Sequence, residues 1–157
     1  MKRNCAKKNL ATPTVELFDS CMSKVLSDSI CNIIANADCV TIAKLQIKGD
    51  TITESNQKEL ESHERALINF IVTNPAYFQS NHPVYGLFYP QISISYKHKS
   101  EKVTLRYDLS LKKWSAYNSS GNEMCRLDIS DNSMLRASSI IFPNDTLLKT
   151  LLIHPAK

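Results

Sequence analysis

The side chains of this sequence that could do chemistry lie far apart, and the histidines show it first. A zinc site on a helix would place histidines at a short regular spacing, as in H-E-x-x-H. Neither that pattern nor H-x-H occurs among the four histidines, which are His63, His82, His98 and His154. We therefore expect neither a bound metal nor a cofactor.

The five cysteines are odd in number and include no C-x-x-C pair. Because a disulfide framework or a zinc site should show even numbers or close pairs, we expect free, mostly buried thiols in a reducing compartment. Cys39 begins a predicted strand, but no base is apparent beside it, so a buried structural role is favoured over a nucleophile. The cysteines are Cys5, Cys21, Cys31, Cys39 and Cys125.

Glycines and carboxylates also lack the spacing of a catalytic or nucleotide-binding motif. Gly49, Gly86 and Gly121 are the only glycines, and a phosphate-binding loop needs several close together. The glutamates near residues 54–64 alternate with Lys58 and Arg65, as on a solvated, salt-bridged helix face. The sequence therefore indicates a protein that is not an enzyme.

Aromatic residues provide the remaining functional signal. They concentrate between residues 77 and 96, and more follow at positions 107–117. Most are expected in the core, but Tyr85 and Tyr89 flank Gly86 in a predicted loop, where tyrosine favours partner binding. The candidate binding surface consists of His82, Tyr85, Phe88, Tyr89, Trp114 and Tyr117.

The formal net charge of +4 is carried by the N-terminal residues. Four basic residues precede the first acidic residue: Lys2, Arg3, Lys7 and Lys8. Without them the chain has 15 basic and 15 acidic residues, so the rest of it is neutral. A neutral body argues against a nucleic-acid-binding face, although the basic tail could contact phosphates weakly. No apolar run approaches the roughly 18 residues of a membrane span, and no signal peptide is recognisable. We expect a cytoplasmic protein without membrane contact.

In the N-terminal half, apolar spacings of three and four predict a helix from Thr12 to about Asn36, or two helices if residues 27–29 form a second cap. A strand is predicted over 39–47. Its apolar residues change parity between Ile42 and Leu45, which indicates a bulge or burial of both faces. A second helix is predicted from Thr53 or Ser55 to Thr73.

Residues 87–129 predict a β-meander, because apolar and polar residues alternate with a period of two. Turns are expected near 98–101, 108–113 and 119–122. Trp114 should face inward and Tyr117 the opposite way. Residues 134–142 could form a strand or an extended cover. Residues 147–152 predict a short amphipathic helix.

The predicted fold class is α+β: a mainly antiparallel sheet of four to five strands, with two long helices from the N-terminal half and a short C-terminal helix on one face. Residues 1–11 are expected to be a disordered basic tail, and residues 12–157 a single domain. The runs at 87–90, 107–108 and 113–114 resemble those of small bacterial α+β proteins with a helix–strand–helix–meander plan.

These observations favour a small non-enzymatic domain that binds another protein, as an inhibitor, immunity protein or adaptor. One alternative is a domain that binds a small molecule in an aromatic pocket between helices and sheet, near Tyr85, Tyr89, Trp114 and Tyr117. A third hypothesis, with the least support, is a cysteine-dependent enzyme.

Overall fold

The computed structural model describes residues 26–74, 77, 86–129 and 131–154. Four helices lie in these ranges: α1 (Asp28–Ala35), α2 (Ser62–Thr73), α3 (Ser133–Ile141) and α4 (Thr146–Ile153). Six strands form one sheet: β1 (Cys39–Lys48), β2 (Thr51–Glu59), β3 (Ile92–His98), β4 (Glu101–Asp108), β5 (Lys113–Tyr117) and β6 (Glu123–Asp128).

The strands lie in the order β2-β1-β3-β4-β5-β6, and every neighbouring pair is antiparallel. Side chains in a strand alternate between the two faces, so the register assigns each residue to a face. A row from Ile42 through Ile94 and Leu105 to Ala116 marks one face, here called the helix face. The opposite row runs from Ser93 through Arg106 and Ser115 to Arg126 and marks the second face.

The main core joins the helix face to all four helices. Buried residues of each helix belong to one cluster with the strand residues of the helix face, among them Ile34, Ile68, Met134, Leu148 and Leu105. Fully burying such a side chain contributes about 1.5–3 kcal/mol, before the entropy of ordering it is subtracted. These contacts fix the helix face and leave the second face to carry polar and charged side chains.

The meander is confirmed, including its three turns. β3 to β6 follow one another in sequence and in space, and the turns fall between His98 and Glu101, Asp108 and Lys113, and Tyr117 and Glu123. Lys99 has a φ of 54° in the first turn. The C-terminal helix is also confirmed, with Asp145 at its N-cap accepting a hydrogen bond from the Leu148 N–H at 2.8 Å.

The apolar residues of β1 switch from one face of the strand to the other between Ile42 and Leu45, and this switch has two causes. Ala43 and Leu45 are buried on the second face while Ile42 is buried on the helix face, so both faces of β1 are partly covered. The pairing with β2 is irregular at the same place, because Ile42 pairs with Lys58 but Lys44 with Ser55. The extra residue of this β-bulge therefore lies on β2.

Three expectations about the elements are wrong. The sheet has six strands rather than four or five. Residues 51–59, expected mostly in a helix, form the edge strand β2, so α2 begins only at Ser62. Residues 134–142 were expected to be a strand or an extended cover, but residues 133–141 form α3.

The long first helix is only partly tested. α1 begins after the Ser27 N-cap, whose Oγ accepts a hydrogen bond from the Ile30 N–H at 3.3 Å, as the alternative with two helices requires. Residues 12–25 of that expectation lie outside the described residues, as does the predicted tail. None of the helices in the described ranges is both long and apolar enough to cross a membrane.

Candidate functional site

Residues 87–89, here called the entrance segment, lead the chain into β3 and expose apolar side chains. Leu87 is 73% exposed and Tyr89 52%, whereas Phe88 is half-buried. The Tyr89 N–H donates to Asp108 Oδ2 at 2.8 Å. Since Asp108 ends β4, this hydrogen bond holds the entrance segment against the sheet.

Asp108 is fully buried and also organises the turn between β4 and β5. Its Oδ1 accepts hydrogen bonds from the N–H groups of Ser110 and Leu111, at 3.1 and 2.9 Å, and from Ser110 Oγ at 2.7 Å. A buried carboxylate needs such donors to replace its hydration. One side chain therefore positions both the entrance segment and the turn.

The ring of Phe88 packs against the guanidinium of Arg126, which lies on the edge strand β6. The Arg126 guanidinium carbon lies 4.3 Å from the centre of the Phe88 ring, a distance typical of a cation–π contact. Glu123 also holds Arg126, because Arg126 Nε donates to Oε1 at 2.7 Å and a terminal nitrogen donates to Oε2 at 3.1 Å. These hydrogen bonds raise the pKa of Arg126, so it stays a cation.

Tyr117 connects this pair to a second arginine. The Arg106 guanidinium carbon lies 4.5 Å from the centre of the Tyr117 ring, and the Tyr117 hydroxyl accepts a hydrogen bond from Ser115 Oγ at 3.0 Å. Tyr117 also contributes to the raised pKa of Arg126, which places it next to both cations. Ser115 lies between Arg106 and Arg126 in the same cross-strand row.

These contacts define an aromatic–arginine surface on the second face and its entrance segment. Adjacent strands lie about 4.8 Å apart, so the two strand steps between the arginines separate their backbones by roughly 10 Å. The surface can donate several charge-assisted hydrogen bonds and offers apolar area beside them. Its members are Leu87, Phe88, Tyr89, Arg106, Tyr117 and Arg126.

Hydroxyl groups surround Arg106 on the second face. Ser93 and Ser115 are its cross-strand neighbours on either side. Ser95 Oγ and Thr104 Oγ1 lie 3.2 Å apart in the adjoining row, and Ser93 Oγ donates to Glu54 Oε1 at 3.0 Å. The arginine therefore has small polar neighbours rather than carboxylates directly beside it.

The residues of the predicted binding surface divide among three places. Phe88 and Tyr117 come together through Arg126, and Tyr89 follows Phe88 in the exposed entrance segment. Trp114 is only 1% exposed and stacks on Tyr107 in the core, with ring centres 6.2 Å apart. His82 and Tyr85 lie outside the described residues.

Sequence reasoning missed the two arginines, although a signal for one of them was present. Arg106 belongs to the alternating pattern of β4, and its parity opposite Leu105 and Tyr107 already assigned it to the outer face. The contact with Tyr117 could not be read from the pattern, because it depends on the register between β4 and β5.

The described cysteines differ from the expectation of free thiols at one position. Cys31 and Cys125 are free. Burial raises the pKa of Cys31 to about 11, with a further contribution from Asp28, and burial also raises the pKa of Cys125. Cys39 is disulfide-bonded, so the prediction of a free thiol there is wrong.

Within the described ranges, no three His, Cys, Asp or Glu side chains lie close enough together to hold a metal ion. Comparison with protein-family models, with curated proteins and with solved structures found no match.

Proposed function

We propose that this chain is a small non-enzymatic protein-interaction domain, of the inhibitor, immunity or adaptor type, that binds its partner through the aromatic–arginine surface. The observation that carries the proposal is the grouping of exposed Leu87 and Tyr89 with two arginines held on aromatic rings. Tyrosine and arginine are the residues that most often dominate the energy of protein interfaces.

The arginines are suited to binding because their conformations are already restricted. An arginine side chain loses about 2 kcal/mol of rotamer entropy when it is fixed. Stacking of Arg106 on Tyr117 and of Arg126 on Phe88 restricts much of that freedom before any partner arrives. A preorganised surface loses less free energy on association than a flexible one.

A protein partner fits this surface better than a nucleic acid or a small molecule. The neutral body lacks the broad positive potential that nucleic acids require. A shared aromatic pocket between helices and sheet has less support, because Trp114 lies on the helix face and Tyr117 on the second face. The surface instead offers apolar side chains with charged ones beside them, as protein interfaces do.

Site-specific photo-crosslinking tests this proposal. A photoreactive amino acid replaces Tyr89 in one variant and Phe70 in the other, because Phe70 is an equally prominent aromatic, 57% exposed, on α2. We expect one protein to be crosslinked from position 89 and not from position 70 in cells that produce the chain.

The captured protein is then purified and its affinity measured by calorimetry. We expect Tyr89→Ala and Arg126→Gln each to weaken binding by about tenfold or more, as substitutions at interface hot spots do, and Phe70→Ala to leave it unchanged. Equal crosslinking from both positions, or an affinity insensitive to Tyr89 and Arg126, would show that the surface is not the interface.

A further inference from the structure

Arg106 differs from Arg126 in having no acceptor for its charge. Within the described part of the chain, no carboxylate lies within ion-pair distance of Arg106, and its Nε is buried without a hydrogen-bond partner. An unpaired donor that is removed from water is unfavourable, and more so in a charged group. Because Arg126 already has a carboxylate partner and Arg106 has none among the described residues, an added acceptor at the terminal nitrogens should stabilise Arg106 more than Arg126.

The position of the guanidinium is already set by its neighbours. It stacks on Tyr117, and the hydroxyl of Tyr117 accepts a hydrogen bond from Ser115, the cross-strand partner of Arg106. Stacking uses the face of the guanidinium, and Nε is buried, so the edge able to donate to an added acceptor is the one formed by the two terminal nitrogens. That edge matches the two oxygens of a carboxylate or a phosphate.

The local charge favours an acceptor with one negative charge over one with two. Glu123 already neutralises Arg126, so Arg106 is the uncompensated cation of the surface. Glu54 reaches Ser93 from one side, and Asp108 lies two residues further along β4. Both acidic groups would repel a phosphate dianion more than a carboxylate. The four hydrogen bonds that Asp108 accepts from described residues come from Tyr89, Ser110 and Leu111. None comes from Arg106, so Asp108 is not an acceptor for that guanidinium.

We propose that Arg106 is a carboxylate-binding site, and that the partner presents an aspartate, a glutamate or a chain end to it. The carboxylate accepts two parallel hydrogen bonds from the guanidinium edge, while Leu87 and Tyr89 contact apolar side chains nearby. The nature of the partner rests on the proposed function, but carboxylate binding by Arg106 can be tested without any partner.

Nuclear magnetic resonance of isotope-labelled protein provides this test, because each arginine Nε–Hε group gives its own signal. Arg106→Lys removes one signal and so assigns it. Sodium acetate is titrated at constant ionic strength, with sodium chloride as the balancing salt. We expect a saturable shift of the Arg106 signal with a Kd of about 1–50 mM, as for a very small ligand. The signal of Arg136, exposed on α3, should not move.

Matched charge variants supply the controls. Arg106→Gln and Arg136→Gln each remove one positive charge, and thermal unfolding checks that both remain folded. In Arg136→Gln, the acetate response of Arg106 should be retained. Tyr117→Leu removes the stacking ring and should weaken acetate binding several-fold.

Three results would overturn the inference. They are no response of Arg106 to acetate, an equal response of Arg136, and tighter saturation by inorganic phosphate than by acetate at the same ionic strength. Any of these can occur while crosslinking from position 89 still identifies a partner, in which case the proposed function stands without the carboxylate site. If the Arg106 signal responds to acetate but position 89 captures nothing, the site stands and the protein-interaction proposal fails.

Discussion

Ser138 is a buried side chain whose removal should improve stability. It is fully buried in α3, and its Oγ has no hydrogen-bond partner within the described residues. Alanine avoids the unpaired hydroxyl and is the better helix former. We expect Ser138→Ala to raise the free energy of unfolding by about 0.5–1.5 kcal/mol, measured by urea denaturation.

Ser139→Ala is the matched control for this prediction. Ser139 Oγ donates to the Leu135 carbonyl at 2.8 Å, so this substitution removes a hydrogen bond that is made. Ser139→Ala should raise the free energy of unfolding less than Ser138→Ala does. A loss of stability in Ser138→Ala would show that the hydroxyl is satisfied in solution.

The free thiols should react slowly with alkylating reagents. Since the pKa of Cys31 is about 11, roughly one molecule in a thousand carries the thiolate there at pH 8. We expect iodoacetamide to modify Cys31 far more slowly in the native protein than in urea, at a rate that rises with pH throughout the range 7–9. A fast, pH-independent reaction at Cys31 would contradict the burial of this thiol.

At the residue scale, the sequence predicted which face of the sheet a side chain lies on, but not which side chains contact or bond to one another. Strand periodicity placed Trp114 inward and Tyr117 outward, as the structure shows. The disulfide at Cys39 could not be predicted, because which cysteines can bond depends on the distances that the fold sets between them.

The edge strand β2 shows why a polar segment can be assigned the wrong structure. Its side chains are mostly exposed on both faces, because it borders the sheet and lies outside the main core. Period-two alternation between apolar and polar residues arises only when one face is buried, so residues 51–59 lack it, and their Glu, Gln and Lys favour a helix.

Asn56 distinguishes the two structures experimentally. It has a φ of 51°, the left-handed conformation, in the bulge opposite Ala43. In a helix, Asn56→Ala would be stabilising, whereas in this bulge it should cost about 1 kcal/mol. We expect Asn56→Gly to be at least as stable as the wild type, since glycine adopts positive φ without steric penalty. Urea denaturation of the two variants decides, and a stabilised Asn56→Ala would favour the helix.

The helix α3 was missed for a different reason. Its buried residues follow a helical spacing: Met134, Leu135, Ala137, Ser138 and Ile141. The exposed Ile140 next to Ile141 gave the segment a β-branched apolar end that is equally typical of a strand. A nine-residue segment is too short for periodicity to decide between the two.

At the scale of the whole molecule, two ion pairs among the described residues connect helices to the sheet. Lys58 of β2 donates to Glu64 of α2 at 2.5 Å, and the Glu61 N–H donates to the other oxygen of Glu64 at 3.0 Å. Lys44 of β1 pairs with Asp145, the N-cap of α4. Burial alone would raise the pKa of Glu64 and of Asp145, but these lysines and N–H groups together lower it below the usual value.

Lowered carboxylate pKa values make the fold sensitive to acid. The unfolded chain takes up these protons first, so the stabilisation is complete above the ordinary carboxylate pKa, about 4, and is lost as the pH falls towards the lower folded values. We expect Glu64→Gln to cost about 1–3 kcal/mol at pH 7, and much less at pH 3. Thermal unfolding at several pH values measures both.

Asp50→Asn provides the comparison, because Asp50 is exposed in the turn between β1 and β2. It should leave the pH dependence of stability unchanged. If Glu64→Gln and Asp50→Asn gave parallel stability curves between pH 3 and 7, the ion pair with Lys58 would not be the source of acid sensitivity.

The larger plan of the molecule was predictable where sequence neighbours are also neighbours in space. The α+β class, the meander and the C-terminal helix followed from local alternation and helical spacing. The number of strands did not, because it depended on the polar edge strand. The neighbours of β1 could not be deduced either, since β3 reaches it from a distant part of the sequence.

The order of the strands has a consequence for how fast the chain folds. Every pairing in the sheet joins consecutive strands except β1 with β3, whose partners lie roughly fifty positions apart, so this is the slow contact to make. We expect Ile94→Val, in that ladder, to slow refolding in stopped-flow experiments, and Leu127→Ala, in β6, to act mainly by accelerating unfolding. Until the β1–β3 ladder closes, the β1–β2 hairpin and the four-stranded meander would exist as separate units, each with its helix-facing side chains uncovered.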